Sequence, residues 1–236
     1  PVELFGAPGR EEATGRGVAM IAAATLKKHK VKVEGATVAI QGFGNVGRYA
    51  ALVCQELGMR VIAVSDVSGG IVNNKGLDIA SFFSHKSLET VDADDRVGAA
   101  EVLEVQCDVL IPAALGGVIN DGNVAKIKAE FIIEGANQPI TFAADQELRA
   151  QGVVIVPDIL ANSGGVMGSY FEWTQNIQEF SWPIEKFRKE LDSRMEIAFT
   201  HVLEVSKKHS VDMRTAAFVV AVGRVAQAFE LRGSLV

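Results

Sequence analysis

A doubly wound α/β fold, with a mostly parallel sheet covered by helices on both faces, is predicted by three features of this 236-residue sequence. Short apolar runs of strand length recur between segments of helical period, as they do when strands are buried on both sides. The run around Val38 leads directly into Gly42-Phe43-Gly44-Asn45-Val46-Gly47. The next apolar run ends at a carboxylate, Asp66, at the distance of about 20 residues that a dinucleotide fingerprint places it.

Residues 11–32 read as a helix. Val18, Ile21, Ala22, Thr25 and Leu26 share one face, and Lys27, Lys28 and Lys30 suit its C-terminus, where cations meet the negative end of the helix dipole. Residues 37–40 lie between glycines and read as a buried strand. Residues 45–57 are helical in period through Val46, Tyr49, Ala50, Val53 and Leu57, and Gly58 stops them. Residues 60–64 form a second strand, which completes a strand–helix–strand unit. A short strand at 70–73 follows, then a turn at Asn74-Lys75-Gly76 and a short helix at 77–86. Residues 87–104 carry Glu89, Asp92, Asp94, Asp95, Glu101 and Glu104 against Arg96, and are expected to form a solvated face. Three more strands are expected at 108–111, 131–133 and 153–156, with helices at 124–128 and 143–150 between them. Beyond Pro157 the period is helical at 165–180, 184–209 and 212–232. In the middle one, Ile184, Phe187, Leu191, Met195, Ala198 and Val202 make an apolar stripe, and Pro183 stands where a first-turn proline belongs. These helices are expected to leave the sheet and return to brace it.

Composition narrows the function. With 48% hydrophobic and 22% charged residues, the chain can bury a large core, which excludes wholesale disorder. The 23 glycines and 6 prolines have no triplet period, so a collagen-like repeat is excluded. Lys and Arg total 23 against 29 acids, a net charge of -6, which argues against a nucleic-acid coat. No apolar run is long enough to cross a bilayer and the first residues carry no signal pattern, so a cytoplasmic protein without membrane or nucleic-acid partners is expected. Cys54 and Cys107 lie in apolar stretches and are read as buried thiols in a reducing compartment, with a disulfide between them as the alternative. No metal-ligand spacing is present. The sequence begins without Met, in mid-phrase, and reads as a piece of a longer chain.

The glycine-rich phrase stands at the end of a strand and the start of a helix, which turns a weak motif into a strong one. Gly42 permits the tight turn, Gly44 lets the backbone approach a pyrophosphate, and Gly47 lets helix pack on strand. The first helical N–H groups, at Asn45, Val46 and Gly47, hold the anion together with the helix dipole. Asp66 is placed to take the adenosine ribose hydroxyls. Its charge repels a 2′-phosphate, and Ser65, Val67 and Ser68 offer no cation, so NAD is favoured over NADP. Arg60 or Lys75 folding toward it would remove the ground for that preference. Three polar phrases follow strand-like runs: Ala113-Ala114, Gly135-Ala136-Asn137-Gln138, and Asn162-Ser163-Gly164-Gly165-Val166. Strand ends line the ligand crevice in such a sheet, so Asn137 and Asn162 are candidates for the nicotinamide half. Either asparagine is equally suited to cap a turn or helix.

With these phrases the chain resembles the glutamate dehydrogenase family, within the wider group of leucine, valine and phenylalanine dehydrogenases. The resemblance rests on Glu12-Ala13-Thr14-Gly15-Arg16-Gly17, the glycine-rich loop, Glu134-Gly135-Ala136-Asn137, and residues 162–166 continuing into Gly168-Ser169-Tyr170-Phe171-Glu172-Trp173. The last phrase favours glutamate over the other amino acids. Phe5-Gly6-Ala7-Pro8 departs from the family's pattern ahead of Arg10.

The resemblance implies a Rossmann-type, carboxyl-terminal NAD-binding domain over residues 1–236, with its core at about 33–160 and bracing or hinge helices at about 11–32 and 165–233. It implies that Thr14 and Asn45 approach the nicotinamide ribose region, that Asn137 contacts that ribose, and that Asn162, Val166 and Ser169 line the substrate end. The parent enzyme would convert L-glutamate, NAD and water to 2-oxoglutarate, ammonia and NADH, as a homo-oligomer. The family's catalytic Lys and Asp belong to an amino-terminal domain outside this sequence, so no catalytic residue is assigned here, and the piece alone is expected to be an inert NAD-binding domain, monomeric if isolated. An NAD-linked 2-hydroxy-acid dehydrogenase would need a His base with an acidic partner. His29, His85, His201 and His209 all lie in helices or at helix ends with no such partner evident.

Overall fold

A computed structural model describes residues 2–93 and 95–233. The elements in order are α1 (Ala13–Lys28), β1 (Thr37–Gln41), α2 (Asn45–Glu56), β2 (Arg60–Asp66), β3 (Gly69–Val72), α3 (Ile79–Phe82), β4 (Arg96–Val97), β5 (Val109–Pro112), β6 (Phe131–Ile133), α4 (Phe142–Ala150), β7 (Val154–Val156), α5 (Asp158–Ala161), α6 (Gly164–Gln178), α7 (Ile184–His209) and α8 (Met213–Arg232). The strands form one sheet in the order β4-β3-β2-β1-β5-β6-β7. β2, β1, β5, β6 and β7 run parallel, and β3 and β4 add an antiparallel edge. This is the predicted doubly wound sheet. The chain winds one way from β1 to β2 and the other way from β5 to β7, so the crossover reverses between β1 and β5.

Each strand alternates between two apolar layers. Val38 and Ile40 of β1, Val109 and Ile111 of β5, and Phe131 and Ile133 of β6 face the larger core, with α1 and α2. Ala39, Leu110 and Ile132 face the smaller one, with Ala144 and Leu148 of α4. A register shift between Val38 and Ala39 places both Ile62 and Ala63 of β2 on the second face. The long helix α7 packs outside α1 through Phe187, Leu191, Met195, Phe199 and Val202, close to the predicted stripe. Two bidentate pairs clamp it there: Arg16 donates to Asp192 at 2.6 and 2.7 Å, and Arg188 to Glu12 at 2.5 and 2.6 Å.

Several boundaries differ from expectation for local reasons. α1 ends at Lys28 rather than 32, because Lys30 turns left-handed with φ 62°. The helix expected at 77–86 is a single turn capped by Asp78, and that expected at 124–128 is one 3-10 turn, Val124–Lys126. The acidic stretch 87–104 is not simply a solvated face. It holds the edge strand β4 and a 3-10 helix, Ala99–Glu104, and Leu88, Val102 and Leu103 are buried against the sheet. Asp94 lies outside the described residues. Cys54 and Cys107 are both buried and free, and burial pushes each thiol's pKa up to about 12.

No helix among the described residues is long and apolar enough to cross a membrane. No group of three or more His, Cys, Asp and Glu side chains among them is placed to hold a metal ion.

A candidate dinucleotide site at the crossover

The crevice opens where β1 and β5 end side by side. Gly42 follows β1, and its N–H donates to Ser65 of β2 at 2.8 Å, while Ala113 N–H donates to Gln41 of β1 at 2.7 Å. Gly42 has φ +98°, and a Cβ there would sit 2.7 Å from both Cβ and N of Ala114. Any side chain at Gly42 would therefore be both strained and blocked. A Cβ on Gly47 would lie 1.8 Å from the carbonyl oxygen of Gly42, so only glycine lets α2 start this close to β1. Gly44 is different. A Cβ there would meet no atom within 4 Å, and the residue is exposed at the N-terminus of α2 with no side chain capping that end. The free N–H groups of a first helical turn, beside open space, suit an anion. Arg48 does not fill that space. Its Nε donates to the Phe43 carbonyl at 3.0 Å and its Nη2 to that of His85, which fixes the loop from behind.

Asp66 stands at the end of β2, as its position in the sequence predicts. Its Oδ2 accepts the Leu88 N–H at 2.7 Å, and its Oδ1 accepts the N–H and hydroxyl of Ser68. Burial alone would push this carboxyl up, but the Leu88 and Ser68 donors outweigh it and hold it below the usual carboxylate range. The Leu88 contact was not legible in the sequence, because it comes from the segment read as solvated.

On the other side of the loop is a cleft of about 580 Å³ lined by Thr14, Val46, Ala113, Ala114, Gly135, Ala136, Asn137, Ile159, Asn162, Ser163 and Val166. It brings together seven residues singled out from the sequence: Thr14, Val46, Ala113, Ala114, Asn137, Asn162 and Val166. The two asparagines touch, with Asn162 Nδ2 donating to Asn137 Oδ1 at 2.8 Å and to the Gly135 carbonyl at 3.3 Å. Thr14 is drawn in because α1 and α6 pack through glycine: a Cβ on Gly165 would lie 2.4 Å from Thr14 Oγ1. The lining residues among those described include no carboxylate, amine, imidazole or thiol. Gly42, Gly44, Gly47 and Asp66 lie outside this lining, toward β2. The side chain of Asn45 donates to the Glu11 carbonyl at 2.8 Å, so it ties α2 to the segment ahead of α1. Ser169 also lies outside the lining, with its hydroxyl donating back to the Gly165 carbonyl at 3.2 Å.

The family of Glutamate/Leucine/Phenylalanine/Valine dehydrogenases matches residues 6–233. The chain belongs to this family. It is 48% identical over 238 residues to the glutamate dehydrogenase of Thermotoga maritima, covering 99% of this chain and 57% of that protein. It superimposes on the leucine-bound hetero-hexameric glutamate dehydrogenase of Thermus thermophilus with a TM-score of 0.92 at 32% identity, covering 100% of this chain and 57% of that one. The glutamate dehydrogenase of Peptoniphilus asaccharolyticus gives 0.86 at 32% identity, covering 99% and 56%. The chain thus spans little more than half the length of these relatives. The match over residues 6–233 takes in the whole doubly wound sheet and the helices that cover it.

A buried ionic cluster below the cleft was not legible in the sequence. Arg214, near the start of α8, reaches under the cleft to the fully buried Glu134 at the end of β6. Its Nη2 donates to Glu134 Oε1 at 2.6 Å and to Asp145 Oδ2 at 2.8 Å, and its Nη1 to Glu134 Oε2 at 3.1 Å. Burial raises the Glu134 carboxyl and Arg214 draws it back. Burial also opposes the Arg214 charge, but Glu134 and Asp145 outweigh that and raise its pKa. The guanidinium decides the pair, since it stays protonated and Glu134 meets its fork as a carboxylate. An acid directly after the apolar Phe131-Ile132-Ile133 was the available signal that a buried cation had to exist elsewhere.

Proposed function

We propose that this chain holds NAD for an NAD-dependent glutamate dehydrogenase. The observation that carries the reading is the uncapped N-terminus of α2 beside the open space at Gly44, set at the crossover between β1 and β5. A pyrophosphate fits there, with Gly42, Gly44, Asn45, Val46 and Gly47 around it. Asp66 accepts the adenosine ribose hydroxyls and its ionised state disfavours a 2′-phosphate, which supports NAD over NADP. The nicotinamide half runs into the cleft past Thr14, Ala113 and Ala114 to Asn137 and Asn162. Asn162, Val166 and Ser169 border the substrate end, where Val166 is 69% exposed. Residues 33–160 serve as the Rossmann core, and residues 11–32 and 165–233 as its braces.

When bound, the nicotinamide supplies the acceptor for the hydride from Cα of L-glutamate. This chain's residues hold that ring in place and present one wall of the substrate pocket. Two substrate carboxylates and an amino group call for cations and a base. The cleft lining carries neither, so those groups come from another part of the whole enzyme, which closes on this one and excludes water. The identity with the Thermotoga maritima glutamate dehydrogenase supports glutamate as the substrate, and the assembly of the Thermus thermophilus relative supports an oligomeric whole enzyme.

The test is titration of the folded chain with NADH, followed by fluorescence. Saturable binding is expected, and none up to millimolar coenzyme would overturn the reading. Glutamate-dependent NADH formation is expected to be absent with the chain alone and to appear on adding the rest of the enzyme.

A further inference from the structure

The Arg214 cluster bears on the cleft through an unbroken series of contacts. Glu134 uses Oε1 and Oε2 on Arg214, and Oε2 also accepts the Asp158 N–H at 2.8 Å. That N–H opens the single turn α5, whose end is Asn162, and the Asn162 N–H donates to the Asp158 carbonyl at 3.0 Å. The Asp158 side chain bridges Arg214 and the second loop. Its Oδ2 accepts the Gln138 N–H at 2.7 Å, and its Oδ1 lies 3.6 Å from Arg214 Nη1. Gln138 is left-handed, with φ 46°, so this bond holds a strained backbone immediately after Asn137. One guanidinium therefore anchors both loops that carry the asparagine pair.

Stability alone would not require this arrangement. A buried carboxylate is costly, and an apolar residue at position 134 would fill the end of β6 more cheaply. The cluster joins the two loops that meet at Asn137 and Asn162, whereas its hydrogen bonds and ion pairs among the described residues do not extend to the pyrophosphate loop.

We propose that Arg214 is a positioning residue for the nicotinamide end of the cleft: through Glu134 and Asp158 it sets the two loops that bring Asn137 and Asn162 together, while the adenosine end is independent of it. The assignment rests on the coenzyme reading above. It predicts a selective loss, because ADP-ribose shares the adenosine and pyrophosphate of the coenzyme and lacks the nicotinamide.

The test is calorimetric titration of the chain, and of Arg214→Lys and Asp158→Asn, with NADH and with ADP-ribose. Lysine keeps the charge and loses the fork that grips Glu134 and Asp145 together. In each variant NADH affinity is expected to fall about fivefold to tenfold, the size of one good hydrogen bond, with ADP-ribose within roughly twofold of the original chain. A parallel fall for both ligands would make Arg214 a purely structural residue and overturn the proposal. So would unchanged NADH affinity in a folded variant, equal affinity of the original chain for NADH and ADP-ribose, or failure of both variants to fold. If the original chain binds neither ligand, the coenzyme reading itself fails and takes this role with it.

Discussion

The amide of Asn162 donates to the side-chain oxygen of Asn137 at 2.8 Å, which links the loops beyond β6 and β7 across the mouth of the cleft. Each asparagine in isolation reads as a cap. Asn162 does end α5, yet its side chain turns into the crevice toward its partner. Asn162→Ala removes the amide that donates to Asn137 and to the Gly135 carbonyl, and is expected to weaken NADH binding by about 0.5–1.5 kcal/mol, the size of one neutral hydrogen bond. The fold should be retained, because the side chain is only partly buried. A fluorescence titration checks this, and an unchanged Kd would remove the pair from the nicotinamide site.

Coenzyme choice is expected to rest on Asp66. Asp66→Ser deletes a charged acceptor for the ribose hydroxyls, at a cost of about 1.5–3 kcal/mol in NADH affinity. It also removes the repulsion that a 2′-phosphate would meet. The variant frees the Leu88 N–H as well, so some loosening of the segment around Leu88 should accompany it. The decisive measurement is the ratio of NADH to NADPH affinity in both proteins. If that ratio stays put, some other residue sets the preference.

Acid should unfold the chain in a manner that two carboxylates govern. Asp212 caps α8. Burial would raise its pKa, but the Thr215 N–H and hydroxyl and the Arg149 guanidinium outweigh it and hold it low. Asp66 is held low too. A carboxyl whose folded pKa lies below its unfolded value, about 3.9 for Asp, stabilises the fold above that value. The contribution is lost as pH falls through the folded pKa. Glu134 is shifted upward and so acts in the opposite sense, blunting the first part of the fall. Melting temperature is expected to be steady near neutrality and to drop below about pH 4. Asp212→Asn should lower it at neutral pH and flatten the acid slope. An acid slope identical to that of the original chain would mean that Asp212 does not govern it.

The sheet was legible because it obeys short-range rules. Val38 to Ile40 is apolar, two glycines must follow for steric reasons, and Asp66 falls at the fingerprint distance. The long helix α7 was equally plain, since its stripe has to cover α1. What stayed hidden depends on distant partners. Leu88, Val102 and Leu103 sit among acids and show no periodicity, yet the sheet edge buries them. Arg214 and Glu134 are 80 residues apart, and nothing local to either says that they pair. The same holds for the cleft itself: Asn137 and Asn162 each announce a turn, and only the adjacency of β6 and β7 brings them into contact.

The glycines of the loop separate folding from binding, and two substitutions should split the two effects. A methyl on Gly47 would lie 1.8 Å from the Gly42 carbonyl oxygen, which is backbone and cannot swing aside. Gly47→Ala must push α2 away from β1, and overpacking of this kind costs about 1–3 kcal/mol or more. A methyl on Gly44 meets nothing within 4 Å, and its φ of -76° suits alanine. The lost chain entropy of glycine and its better capping nearly offset each other, so Gly44→Ala should change stability by less than about 1 kcal/mol. That methyl would nevertheless occupy the space assigned to the pyrophosphate, in front of the free N–H groups of α2. Urea melts and NADH titrations on both variants are therefore expected to give different patterns. Gly47→Ala should lose stability, and Gly44→Ala should stay folded and lose coenzyme. Full NADH affinity in Gly44→Ala would move the pyrophosphate away from the start of α2 and undo the placement of the whole coenzyme.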